Sequence, residues 1–111
     1  MSPTQREMVR LKVLQTVEST PTASQRELAK MLGVSLGSVN YCLKALIDKG
    51  MIKVDNFSKA DDKKGYAYLL TPQGLVAKAE LTAEFLRRKK AEYALLKEEI
   101  ELLESQLQQK N

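Results

Sequence analysis

The first eighteen residues place apolar side chains at Met8, Val9, Leu11, Val13, Leu14 and Val17. Spacings of three and four recur among them, which predicts an amphipathic helix over 5–18. Thr4 stands at its cap position with Glu7 three residues on, the spacing of a capping box. The helix cannot continue through Pro21, so Ser19–Ala23 reads as a linker. A second capping box, Ser24 with Glu27, opens another short helix whose buried side is Leu28, Ala29 and Leu32. Gly33 ends it, because a glycine takes the left-handed conformation that a helix C-terminus often needs. Ser35 then caps a third helix. Its inward stripe is Val39, Cys42, Leu43, Leu46 and Ile47, and its opposite face is Gly37, Ser38, Asn40, Tyr41, Lys44 and Asp48.

After Lys49-Gly50 the period changes. Met51–Phe57 and Tyr66–Leu70 are short runs rich in β-branched and aromatic residues, the signature of strands. The connection Ser58–Gly65 is too long for a two-residue turn. Thr71 then caps, and Pro72 suits a first helical position. From there to about Gln108 nothing breaks a helix of roughly 37 residues, about 55 Å at 1.5 Å each. Along it Leu75, Ala79, Thr82, Leu86, Lys89, Tyr93, Leu96, Ile100, Leu103 and Leu107 are separated alternately by four and three. That is a heptad seam. With Tyr93, Ile100 and Leu107 at a, Leu96 and Leu103 fall at d, as does the polar Lys89.

Two short helices joined at a glycine, followed by a hairpin, outline a helix-turn-helix with a wing. The expected fold is therefore α+β, a winged helix-turn-helix with a long C-terminal coiled-coil dimerisation helix. Residues 1–74 form the expected DNA-binding domain and 75–111 the dimerisation helix. Charge agrees with this division. The chain has 18 Lys and Arg against 14 Asp and Glu, a net charge of +4. All of that surplus lies in residues 1–74, where phosphate attraction needs it, and 75–111 balance to zero.

Composition excludes other classes. A single Cys42 allows no disulfide within the chain and fits a reducing compartment. Without histidine, zinc sites and imidazole catalysis lose their commonest ligand and base. No Walker loop, dinucleotide fingerprint or nucleophile–base pair is present, so neither an enzyme nor a cofactor is expected. No apolar run approaches a membrane span and no signal-peptide core is seen, so the expected location is the cytoplasm.

Candidate DNA contacts follow from the motif. Recognition-helix N-termini reach base edges. Ser35, Gly37, Ser38, Asn40 and Tyr41 occupy that end. Asparagine carries the donor–acceptor pair that fits adenine, and Lys44 suits guanine or phosphate. Gln25 and Arg26 open the helix that crosses the backbone, and its amide end favours a phosphate. Lys59, Lys63 and Lys64 would reach phosphates from the wing. The expected dimer interface is Leu86, Lys89, Tyr93, Leu96, Ile100, Leu103 and Leu107. The competing class is a winged-helix adaptor that dimerises in the same way and binds protein instead of DNA.

The runs Ser24–Ala29 and Gly33–Gly50 resemble the MarR-type winged-helix repressors. Val39–Leu46 together with Tyr66–Pro72 resemble, more narrowly, the small MarR-family regulators associated with exopolysaccharide gene clusters. The resemblance implies a dimeric bacterial transcriptional regulator on a pseudo-palindromic operator of double-stranded DNA. Tyr41 stands where such proteins often have a DNA-facing arginine, and the wing carries Asp61-Asp62-Lys63-Lys64 where they often have Asp-Arg.

Overall fold

A computed structural model describes residues 2–56 and 65–109. Helix α1 spans Pro3–Ser19, α2 Gln25–Leu32 and α3 Leu36–Asp48. Strands β1 (Ile52–Asn56) and β2 (Tyr66–Leu70) follow, and α4 runs from Pro72 to Gln109. The α+β winged-helix fold expected from the pattern is present, with its long C-terminal helix.

All four helix starts are set by local side-chain bonds. Ser24 Oγ accepts the Glu27 N–H at 3.1 Å, and Glu27 returns the bond by accepting the Ser24 N–H at 3.2 Å. Ser35 Oγ accepts the Ser38 N–H at 3.0 Å. Helix α1 corrects the expectation. Its cap is Ser2 rather than Thr4, with Gln5 completing the box. Ser2-x-x-Gln5 and Thr4-x-x-Glu7 are both capping spacings, and Pro3 favours the first because proline is preorganised for the opening helical position. Gly33 closes α2 at φ 67°, the left-handed turn anticipated for it.

The strands pair antiparallel, Ile52 opposite Leu70 and Asn56 opposite Tyr66. Within the described residues β1 starts at Ile52, one residue after the expected start at Met51; the expected end, Phe57, lies outside the described residues. The Tyr68 N–H donates to the Pro21 carbonyl at 3.0 Å, which fastens β2 to the α1–α2 linker.

The chain divides into two compact units, Met1–Leu81 and Thr82–Asn111. In the first, Val13, Leu14, Val17, Leu28, Val39, Leu43, Leu46 and Ile52 form the core. Ala77 and Leu81, from the first part of α4, pack against it. Cys42, read from sequence as buried, is only half-buried beside that core. A helix of this diameter has a flank, and position 42 lies on it between the inward stripe and the solvent face.

The start of α4 packs on the turn that joins α3 to β1. Thr71 Oγ1 accepts the Gly74 N–H at 3.1 Å, and the same hydroxyl donates to the Gly50 carbonyl. The Met51 carbonyl accepts the Thr71 N–H at 3.1 Å. A Cβ on Gly74 would stand 2.0 Å from that carbonyl oxygen, so this position admits only glycine. In the second unit, α4 is solvated on every side: from Lys89 to Gln109 each residue is exposed. Among the described residues no helix is long and apolar enough to cross a membrane.

Candidate nucleic-acid interface

Helix α3 is held by its inward stripe and offers the remainder to solvent. Val39, Leu43 and Leu46 are each no more than 1% exposed, whereas Tyr41 is 77% exposed. Gly37, Asn40 and Lys44 are exposed on the same outward side. The core thus fixes the axis of the helix and leaves these side chains on the surface.

Ser35 and Ser38 behave differently from a pair of free readers. Ser35 Oγ donates to Ser38 Oγ at 2.9 Å while accepting the Ser38 N–H. Ser38 is half-buried, although its place on the outward face predicted exposure. The Ser35 hydroxyl is therefore committed to the helix cap, and the Ser38 hydroxyl accepts one bond there.

Gln25, assigned from sequence to the backbone-crossing helix, points its amide sideways to α3. Its Oε1 accepts from Asn40 Nδ2 at 3.1 Å. Its Nε2 donates to the Tyr68 hydroxyl at 3.3 Å. Arg26, next to it, is exposed. Tyr68 is 4% exposed, and its ring meets Tyr66 edge-on with centroids 5.5 Å apart. A hydroxyl bond to Tyr68, followed by partial burial, pushes the Tyr66 phenol above its ordinary value of 10.0. The wing lysines Lys59, Lys63 and Lys64 lie outside the described residues.

A cleft of about 490 Å³ runs along the other flank of α3, against α1. Gly37, Ser38 and Tyr41 line one wall, and Arg6, Arg10 and Lys49 bring three cations to it. Sequence reasoning assigned none of the three. The available signal was the four-residue spacing of Arg6 and Arg10, which puts both charges on one side of α1. Burial raises the Cys42 thiol above its ordinary 9.0, against the opposing pull of Arg10 and Lys49. Among the described residues no cluster of potential ligands could hold a metal ion.

In the second unit the expected interface residues share one environment. Leu86, Tyr93, Leu96, Ile100, Leu103 and Leu107 are all exposed, Leu107 by 71%. Lys89 Nζ meets Glu92 of its own helix at 3.2 Å. Arg88 lies over the Phe85 ring, 5.3 Å from its centroid.

Comparison with known proteins agrees with this geometry. Residues 9–53 match the family described as winged helix-turn-helix DNA-binding. Comparison with curated proteins gave no match. Among solved structures, the chain is similar to PcaV of Streptomyces coelicolor in complex with its natural ligand, at 19% identity and TM-score 0.65. That match covers 77% of this chain and 59% of the other. MarR of Staphylococcus aureus, in complex with salicylate and kanamycin, is 21% identical with TM-score 0.58, covering 77% and 55%. A mutant of Escherichia coli MarR complexed with operator DNA is 28% identical with TM-score 0.52, covering 65% and 50%. The matched part thus spans between half and three-fifths of these structures. The chain carries a winged helix-turn-helix domain, and its structural neighbours include MarR-family regulators.

Proposed function

We propose that this protein is a sequence-specific DNA-binding transcriptional regulator of the MarR type, acting as a dimer. The observation that carries the reading is the outward face of α3, with Gly37, Asn40, Tyr41 and Lys44 exposed on a helix whose other side is locked in the core. Arg26 and the cations of the α1–α3 cleft stand beside it for phosphate. The mutant MarR of E. coli seated on operator DNA supports the same use of the fold. A symmetric dimer would match two half-sites of a pseudo-palindrome.

Dimerisation through α4 is supported by its row of exposed apolar residues. A run of this length at heptad spacing is costly to leave in water, and pairing with a second copy buries it. The narrower sequence resemblance supports exopolysaccharide biosynthesis genes as the targets. Binding excludes or positions RNA polymerase by occupancy of the operator.

Two measurements test this. Duplex affinity should fall steeply with salt, by roughly a hundred-fold between 50 and 200 mM for about four phosphate contacts. No duplex binding at 50 mM salt would sink the reading in favour of a protein-binding adaptor. A genome-wide binding map of the tagged protein checks the target genes, and peaks scattered without a shared sequence would remove the specificity from the proposal.

A further inference from the structure

The hydrogen-bonded chain from α3 to the wing has a consequence for sequence reading. An asparagine reads adenine with its carbonyl oxygen and one N–H together. An exposed amide samples several rotamers, and only some of them present that pair to a base. Asn40 is exposed, so burial does not choose among them.

We infer that Tyr68, acting through Gln25, is a positioning residue that holds the Asn40 side chain in place and so sharpens the base preference it expresses. Three groups are in line. Tyr68, rooted in β2 and almost fully buried, presents its hydroxyl to Gln25 Nε2. Gln25 bridges from that hydroxyl to α3, its Oε1 accepting from Asn40 Nδ2. Asn40 spends one N–H on this bond, which leaves its Oδ1 and its second N–H for a base edge. The link spans 15 residues from Asn40 to Gln25 and 43 from Gln25 to Tyr68, so it exists only in the folded domain. Tyr68 itself is too buried to touch DNA. Preorganisation of this kind discriminates because the reader does not have to reorient when the duplex arrives.

This rests on the DNA-reading role proposed for α3, and the test separates the two. The full-length protein and its Asn40→Ala, Gln25→Met and Tyr68→Phe variants are each used to select duplexes from a randomised library. Tyr68→Phe keeps the ring in its place and removes only the hydroxyl. Gln25→Met keeps the length and removes both bonds. Each variant's affinity for the unselected library and its thermal midpoint are measured alongside. The expected result is that Asn40→Ala flattens the preference at one base position per half-site. Gln25→Met and Tyr68→Phe weaken the preference at that same position by about five-fold, within the range of a bidentate contact. For Tyr68→Phe, affinity for the unselected library stays within about two-fold, since a side chain this buried makes no phosphate contact.

A purely structural role for Tyr68 would lower affinity for all duplexes together with the thermal midpoint and leave the preference profile alone. That outcome overturns the inference, and so does a Tyr68→Phe profile identical to wild type when Asn40→Ala has lost a position. If the wild-type protein selects no sequence at all, both the inference and the base-reading proposal beneath it fail.

Discussion

The two units of this chain treat the same kinds of side chain in opposite ways. In the first unit, the inward leucines of α1, α2 and α3 vanish from solvent: Leu14, Leu28 and Leu46 are each 0% exposed. From Thr82 onward leucines repeat at nearly the same spacing and remain in water, Leu96 at 57% and Leu103 at 61%. Periodicity therefore says that a face is apolar, and tertiary connection decides whether the chain itself can cover it. The first unit has two more helices and a hairpin to lay across each stripe. The second is one helix, and no second element of its own is available to cover the seam.

The largest effects that can break this contrast come from paired truncations. Leu46→Ala is expected to cost about 2–5 kcal/mol, the range for a fully buried leucine. Its thermal midpoint should drop by the same amount at any protein concentration. Leu103→Ala should leave the unfolding of the winged-helix unit unchanged and shift only a transition that depends on concentration. Sedimentation supplies the check, with Leu96→Glu combined with Leu103→Glu expected to give monomers. A double variant that sediments like wild type would place the interface elsewhere and remove the reason for contrasting the units.

A smaller effect sharpens the boundary of the seam. Lys89 occupies a d position and bonds Glu92 at 3.2 Å along its own helix, an exposed pair worth only tenths of a kcal/mol. Lys89→Leu is expected to stabilise the dimer by about 1 kcal/mol, through apolar area buried without a desolvated ammonium. Thermal unfolding at fixed concentration measures it, and a loss would confine the seam to Tyr93 and beyond. Of similar size and opposite sign is Gly33→Ala. A left-handed backbone at φ 67° costs an alanine about 1 kcal/mol, and this change should act on the first unit alone. The least disruptive probe is Cys42. Its raised pKa keeps the thiol protonated past pH 9.0, so alkylation should be slow at pH 8 and rise only above the ordinary thiol range. Rapid labelling at pH 8 would mean that α3 opens readily from α1.

How much could be read in advance follows from how far each interaction reaches along the chain. The Ser24–Glu27 box, the Gly33 turn and the Ser35 cap are bonds over three or four residues, and all three stand where the pattern put them. Ser2 displaced Thr4 because two capping spacings overlap and the proline between them had to be weighed. Thr71 was legible as a cap for the same local reason. The link from Asn40 to Tyr68 was not, because nothing in either segment announces the other. The same holds for Arg6 and Arg10, whose place beside Tyr41 depends on how α1 crosses α3. Of the interface, the sequence showed which residues face outward on α3 but not that the two serines would satisfy each other.

The contact between Gly74 and the Met51 carbonyl has a consequence for inheritance. Of twenty residues only one fits at position 74, while Pro72, Gln73, Leu75 and Val76 around it are all exposed. In a library of every single substitution, sorted for the folded protein, the codon for 74 should empty almost completely amid permissive neighbours. A descendant of this chain is free to vary most of that turn, but it can abandon the glycine only by first moving the backbone that joins α3 to β1.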